Sequence, residues 1–248
     1  MDTKKWVVSL LTAGCLILLS NPVMATIGEK PYVDDQQSGF EVSGFLNKSK
    51  VEYEDTHIDF EPERMLLGVT VSKNINEKFN VYGTLNYLID GSLEVNEVDA
   101  DKDSGFILSS GTKYKMMQSG NFSAHVFGQL DYILQEEYND SDKSGSLKIE
   151  NSGFGLTLGA AAKYQINANF AAYGALSVIP FEKIDCDYKG KNRHTGASES
   201  ESYDLDRDNI LGFRFGGSYD FVGTPWFARA EIGFGNEQAF LISGGVRF

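Results

Sequence analysis

The ten residues 239–248, AFLISGGVRF, constrain this chain more than any other stretch. Phe240, Ile242, Val246 and Phe248 fall on one face of an extended strand, and Ser243, Gly245 and Arg247 on the other, because strand side chains alternate with a period of two. About ten residues is also what a tilted strand needs to cross a bilayer. The same alternation returns at Met65, Leu67, Val69 and Val71, and again at Phe79, Val81, Gly83, Leu85, Tyr87 and Ile89. Helical periodicity is scarce, which together with abundant Gly and aromatics and few Pro argues for an all-β chain.

The N-terminus reads as a targeting segment. Lys4 and Lys5 form a basic n-region, 6–19 is a short apolar run, and Val23-Met24-Ala25 offers small residues for cleavage, so residues 1–25 are read as a secretory signal peptide cut before Thr26. The rival is a lipoprotein box at Thr12-Ala13-Gly14-Cys15, but apolar residues continue past Cys15 and Thr12 stands where such boxes carry Leu. After cleavage only Cys186 remains, which leaves no intramolecular disulfide in an oxidising compartment. The net charge of −13 becomes −14 once Asp2, Lys4 and Lys5 are removed. So acidic a chain is no partner for nucleic acid. Mean hydropathy is −0.26, yet strands with one polar face escape a hydropathy scan.

Residues 26–38 form a periplasmic leader, and 39–248 divide into ten strands. The expected strands begin at Gly39, Arg64, Phe79, Ser104, Phe122, Ile149, Phe170, Leu205, Trp226 and Ala239. Short turns (74–78, 118–121, 167–169, 222–225) alternate with long acidic loops (55–63, 96–103, 138–148, 189–204). Pro180 marks a bulge or an exposed upper end. Three ascending strands open alike, with KFNVYG at 78–83, NFSAH at 121–125 and NFAAYG at 169–174, the self-similarity of an up-and-down meander.

With its terminal Phe248 and its short and long connections, the chain resembles the outer-membrane β-barrel proteins of Gram-negative bacteria, in particular small barrels of the opacity and adhesin-like surface type. The resemblance implies a closed antiparallel up-and-down transmembrane β-barrel of ten strands, or eight if two hairpins are misassigned. It also implies residence in the outer membrane, with outer-membrane lipids and lipopolysaccharide around it. The barrel-assembly machinery would recognise the C-terminal strand.

The two faces of the strands then take different roles. Phe79, Tyr114, Phe122, Tyr164, Phe170, Tyr219, Phe221, Trp226 and Phe248 crowd the short-turn end, where amphipathic rings form an interfacial girdle. Glu41, Lys113, Lys115, His125, Asp131, Lys163, Arg214, Asp220, Arg229, Glu231 and Arg247 lie opposite the apolar set. Arg or Lys facing lipid at the midplane costs roughly 2–4 kcal/mol, so these groups must line the lumen, as a filling ion-pair network or as the wall of a narrow polar pore.

Signals for chemistry are thin. Asp99, Asp101 and Asp103 resemble the start of a calcium loop, but Gly105 falls one place late and Ser110 stands where the bidentate Glu belongs. The base reading is a solvated acidic loop with no metal. His57 and Asp59 share a face, with Asp55 and Asp90 near the same rim, an arrangement similar to ten-stranded outer-membrane proteases, though a second Asp-His region is missing. His125 lacks a legible Ser and acid partner. The expectation is therefore a non-enzymatic surface scaffold without a cofactor, displaying acidic loops to an unidentified extracellular ligand for adhesion, surface protection or envelope integrity. A narrow porin-like channel and a rim hydrolase acting on peptides or lipid A are the alternatives.

Overall fold

The computed structural model describes residues 40–248, apart from residues 52, 56–57, 96–97, 142–144, 193–197, 208–209 and 236. The expected signal peptide and leader lie outside the described residues. Twelve strand segments follow in chain order: β1 (Phe40–Lys50), β2 (Tyr53–Asp55), β3 (Ile58–Asn74), β4 (Phe79–Val95), β5 (Val98–Ser119) and β6 (Phe122–Ser141), then β7 (Gly145–Gln165), β8 (Phe170–Asn192), β9 (Ser198–Arg207), β10 (Leu211–Asp220), β11 (Trp226–Gly235) and β12 (Gln238–Arg247). Every pairing is antiparallel, and β1 pairs with both β12 and β3, so the sheet closes on itself. β2 prolongs β1 along β3, and β9 and β10 both run along β8. Merging those two pairs leaves ten staves of one cylinder.

The short turns are built by local chemistry. Asn76 Oδ1 accepts the N–H groups of Lys78 and Phe79, and Asn167 Oδ1 accepts those of Asn169 and Phe170, each at 2.9 Å. These are Asx turns, and they explain why the two ascending strands that follow open alike. Gly120 turns β5 into β6 at φ 57°, in the left-handed region that a side chain disfavours.

The long connections differ from the expectation. Much of 55–63, 96–103, 138–148 and 189–204 is strand, continuing β3, β5, β6, β7, β8 and β9 well past the expected ends. These segments were illegible as strands because they are rich in Asp, Glu and Lys, and because the alternation changes phase partway up. The register shifts at Met65/Leu66 between β3 and β4, at Phe106/Ile107 between β5 and β6, at Ile133/Glu136 between β6 and β7, and at Leu156/Leu158 between β7 and β8. An extra residue at a bulge moves every later side chain to the other face. Along β6, His125, Phe127, Gln129, Asp131 and Ile133 point inward, but above the bulge Glu136 and Tyr138 do. On β8 the expected irregularity at Pro180 is such a shift, after which Ile184 and Cys186 are the inward residues.

The outer wall divides in two. Tyr114, Tyr164, Phe170, Tyr219, Phe221, Trp226 and Phe248 are exposed around the short-turn end. A second ring, Tyr87, Phe106, Tyr132, Phe154, Phe181, Phe234 and Phe240, is exposed eight to eleven residues higher. Tyr87 packs against Phe106 at 5.0 Å and Phe154 against Phe181 at 5.3 Å. Two aromatic rings bracketing an apolar band are what a bilayer demands of a barrel.

Above the upper ring the cylinder narrows. The β11–β12 hairpin stops at the level where Lys50 faces Gln238, and β2 then pairs directly with β9 through Tyr53–Arg207 and Glu54–Asp206. Ten staves in the membrane thus become eight in an extension that stands clear of it.

Candidate functional site

The site is the lumen, and it has two parts of opposite character. In the membrane-spanning part the small inward residues of β1, β3 and β12, such as Ser43, Thr70, Ser72 and Ser243, leave room for long charged side chains from the other staves. Near the short-turn mouth Arg229 Nη2 donates to Glu41 Oε1 at 2.5 Å. Arg247 reaches the other Glu41 oxygen at 3.2 Å and Asp220 at 2.6 Å. The Phe227 ring lies under both guanidiniums, at 4.0 and 4.5 Å. Higher up, Arg214 bridges Glu231 at 2.6 Å and Glu237 at 3.0 Å, and the Tyr173 hydroxyl donates to Glu231 at 3.0 Å. Across the lumen Ser109 and Gln129 both donate to Asp131 Oδ1, at 2.5 and 2.7 Å, and Tyr82 donates to Gln129 at 2.9 Å. Lys113 stands 5.7 Å from the Tyr82 ring centre.

Among the described residues, six inward carboxylates (Glu41, Asp131, Glu136, Asp220, Glu231, Glu237) meet six inward cations (Arg64, Lys113, Lys163, Arg214, Arg229, Arg247). Opposite charges are thus buried side by side, as groups shut away from water require. His125 sits in it at the short-turn end, and Lys115 lies half-buried at the rim, donating to Gln118.

Three members of this network escaped the sequence reading. Arg64 and Glu136 form a pair of 2.7 Å with 1 % and 0 % of their side chains exposed. Arg64 lies opposite Met65 and Leu67 in the alternation and was legible there. Glu136 was not, because the bulge at Ile133/Glu136 reverses its face. Glu237 reads as a turn residue, but its carboxylate folds back to Arg214 inside the wall.

From the level of the upper aromatic ring into the extension the lumen is mainly apolar. Val51, Tyr53, Leu66, Leu88, Leu93, Ile107, Ile133, Tyr138, Ile149, Ile184, Cys186 and Leu205 form one buried cluster, none more than 4 % exposed. It surrounds the Arg64–Glu136 pair: Leu66 and Ile133 lie on its membrane side along β3 and β6, and Tyr138 lies beyond it in the eight-stave section. Burial and the neighbouring Asp187 carboxylate push the Cys186 thiol up to about 12, which keeps it protonated and inert. Outside, the same section is ionic: Glu150 binds Lys148 at 2.8 Å and Lys189 at 2.5 Å, and Lys183 binds Asp185 at 2.7 Å.

The candidate chemical groups are not brought together. His125 is at the short-turn end of β6, at the far end of the cylinder from β2 and the start of β3, where Asp55 and Asp59 lie. The residue His57 and the side chains of Asp55 and Asp59 lie outside the described residues. Asp90, expected at that rim on the inner side, is exposed on the outer wall, because the irregularity at Met65/Leu66 turns it outward. Asp99, Asp101 and Asp103 belong to β5 rather than to a loop, and their side chains also lie outside the described residues. Among the described residues no three His, Cys, Asp or Glu side chains are grouped to hold a metal ion.

A closed antiparallel cylinder with a girdled apolar belt and an ionic lumen defines a transmembrane β-barrel. The chain belongs to the outer membrane protein beta-barrel domain family, whose model matches residues 11–198, and its place is the outer membrane. Its fold is similar to that of the outer membrane protease OmpT from Escherichia coli, at a TM-score of 0.56 and 8% identity over 89% of this chain and 99% of that one. The translocator domain of the autotransporter NalP from Neisseria meningitidis gives a TM-score of 0.51 at 12% identity, over 87% of this chain and 90% of that one. At such identities the likeness is one of fold. No curated protein matches the chain in sequence.

Proposed function

We propose that the protein is a non-conducting, non-enzymatic scaffold of the outer membrane, which holds a rigid β extension above the bilayer for adhesion, surface protection or envelope integrity. The observation that carries this reading is the apolar cluster that runs from the upper aromatic ring into the extension. Twelve apolar side chains, each at most 4 % exposed, pack together inside the barrel on the way that any solute would have to follow. An ion entering such a region loses its hydration without gaining a partner, which costs several kcal/mol or more. The ion-pair network beneath adds fixed charges to the same route.

The partners implied are lipid and lipopolysaccharide at the two aromatic rings, the assembly machinery at the C-terminal strand, and an extracellular ligand at the charged outer wall of the extension. Export through a cleaved signal peptide belongs to the same reading. Planar-bilayer recording tests it: the folded protein is expected to insert without unitary current steps. Reproducible ohmic steps from purified protein would refute it in favour of a channel.

A further inference from the structure

The upper aromatic ring has a gap. Phe240 on β12 and Tyr87 on β4 belong to the ring, but the two staves between them, β1 and β3, bring no aromatic side chain to its height. Across the gap Lys48 stands beside Phe240, Met65 beside Lys48, and Asp90 beside Met65 on successive strands. Asp90 is outward only because of the irregularity at Met65/Leu66. Glu63 holds the Lys48 ammonium at 2.6 Å, and Asp90 lies near enough to feel the same charge. Together with Met65, Gly91 and Ser92 these three line a cavity of about 220 Å³ on the outer wall. A Cβ at Gly91 would strike the Glu63 carbonyl oxygen, so only glycine lets the strands approach here. One water needs roughly 10–15 Å³ on this measure, so the space suits a group of many atoms rather than a lone ion. Aromatic belts lie at headgroup depth, and the occupant must meet both signs of charge. A simple anion would face Glu63 and Asp90; a simple cation would face Lys48. A zwitterion sets its phosphate on Lys48 and its ammonium on the two carboxylates, through charge-assisted hydrogen bonds. A quaternary ammonium has no N–H with which to make the second contact.

We propose that this cavity binds the headgroup of one phosphatidylethanolamine molecule, its phosphate on Lys48 and its ammonium on Glu63 and Asp90. The site deepens the scaffold reading and rests on it for the lipid at the upper ring. The two fail separately, since current steps in a planar bilayer would refute the scaffold and leave lipid retention unchanged. Native mass spectrometry of the folded barrel in detergent tests the site, with phosphatidylethanolamine, phosphatidylcholine and phosphatidylglycerol of matched acyl chains as probes. One phosphatidylethanolamine is expected to be held about tenfold more tightly than either other lipid, as one hydrogen bond between charged groups is worth. Asp90→Asn combined with Glu63→Gln should bring phosphatidylethanolamine and phosphatidylcholine to parity, whereas Lys183→Met on the outer wall of the extension should leave the preference intact. Should the double variant fail to fold, the unaltered protein serves: retention should fall with each methyl group added to the lipid nitrogen. Equal retention of the three lipids overturns the proposal, as does a preference that survives the double variant or the methylation series. Retention that requires magnesium and vanishes in EDTA also overturns it, in favour of a metal bridge to phosphate.

Discussion

The membrane-spanning part and the extension are the same sheet with its polarity reversed. In the bilayer the wall is apolar outside and ionic inside; above it the wall is ionic outside and apolar inside. The solvent sets both arrangements. Hydrocarbon offers nothing to a charged group, so charge retreats to the lumen and pairs there. Water welcomes the charge, so the extension folds like an ordinary soluble protein around a hydrophobic core. Bulges mark the change of medium, because only an added residue lets a continuous strand exchange its inner and outer faces. On β4, β6 and β8 the switch falls at Ile89–Asp90, Leu134–Gln135 and Pro180–Phe181, close to the upper aromatic ring.

The comparison can be broken most forcefully in the ionic half. Arg214→Ala abandons two carboxylates, Glu231 at 5 % and Glu237 at 0 % exposure, and is expected to cost about 3–5 kcal/mol. The measurement is the urea midpoint of the protein in micelles, and most of the loss should return when Glu231→Gln and Glu237→Gln are added. An unchanged midpoint in the single variant would mean that pairing does not hold the membrane lumen together.

The apolar half responds to a cavity instead. Leu88→Ala, at a fully buried position of the apolar cluster, should cost about 2–5 kcal/mol and act locally. The built-in reporter is Cys186, buried in the same cluster. Its modification by a maleimide should be slow in the native protein and markedly faster in Leu88→Ala, with the membrane-spanning hydrogen bonds still protected from exchange. Equal labelling rates would show that the cluster does not close the extension.

The smallest effect belongs to the outer wall. Hydrogen bonds from Lys148 and then Lys189 hold the Glu150 carboxyl below its ordinary range. A depressed folded value adds stability above the unfolded value, and that stability is lost as pH falls through the folded one. The pairs are solvated, so the loss is about 0–1 kcal/mol. It should appear as faster hydrogen exchange in the upper parts of β7 and β8 on acidification below the usual Glu range, while the lower parts of the same strands do not change.

The membrane half was nearly readable from the sequence. Phe79, Phe122, Phe170 and Trp226 each open a strand where the alternation begins, and Asn76 and Asn167 announce their turns through their own side-chain acceptors. Arg214, Glu231, Arg229 and Glu41 were legible as lumen residues because lipid forbids them elsewhere. The extension was not readable. Its Asp- and Glu-rich segments have the composition of loops, and Glu136, Tyr138 and Ile184 lie beyond bulges that local pattern does not reveal.

The amino-acid order by itself determined which side of each membrane strand meets hydrocarbon, since one rule of alternation and one solvent leave a single arrangement. Only the tertiary structure decided that ten staves become eight, that the acidic connections pair into a closed extension, and that Arg214 finds Glu237 at a hairpin tip. Those outcomes depend on how far each strand continues and where an extra residue turns it over. Contacts between residues distant in the chain set both, and a local pattern carries no record of them.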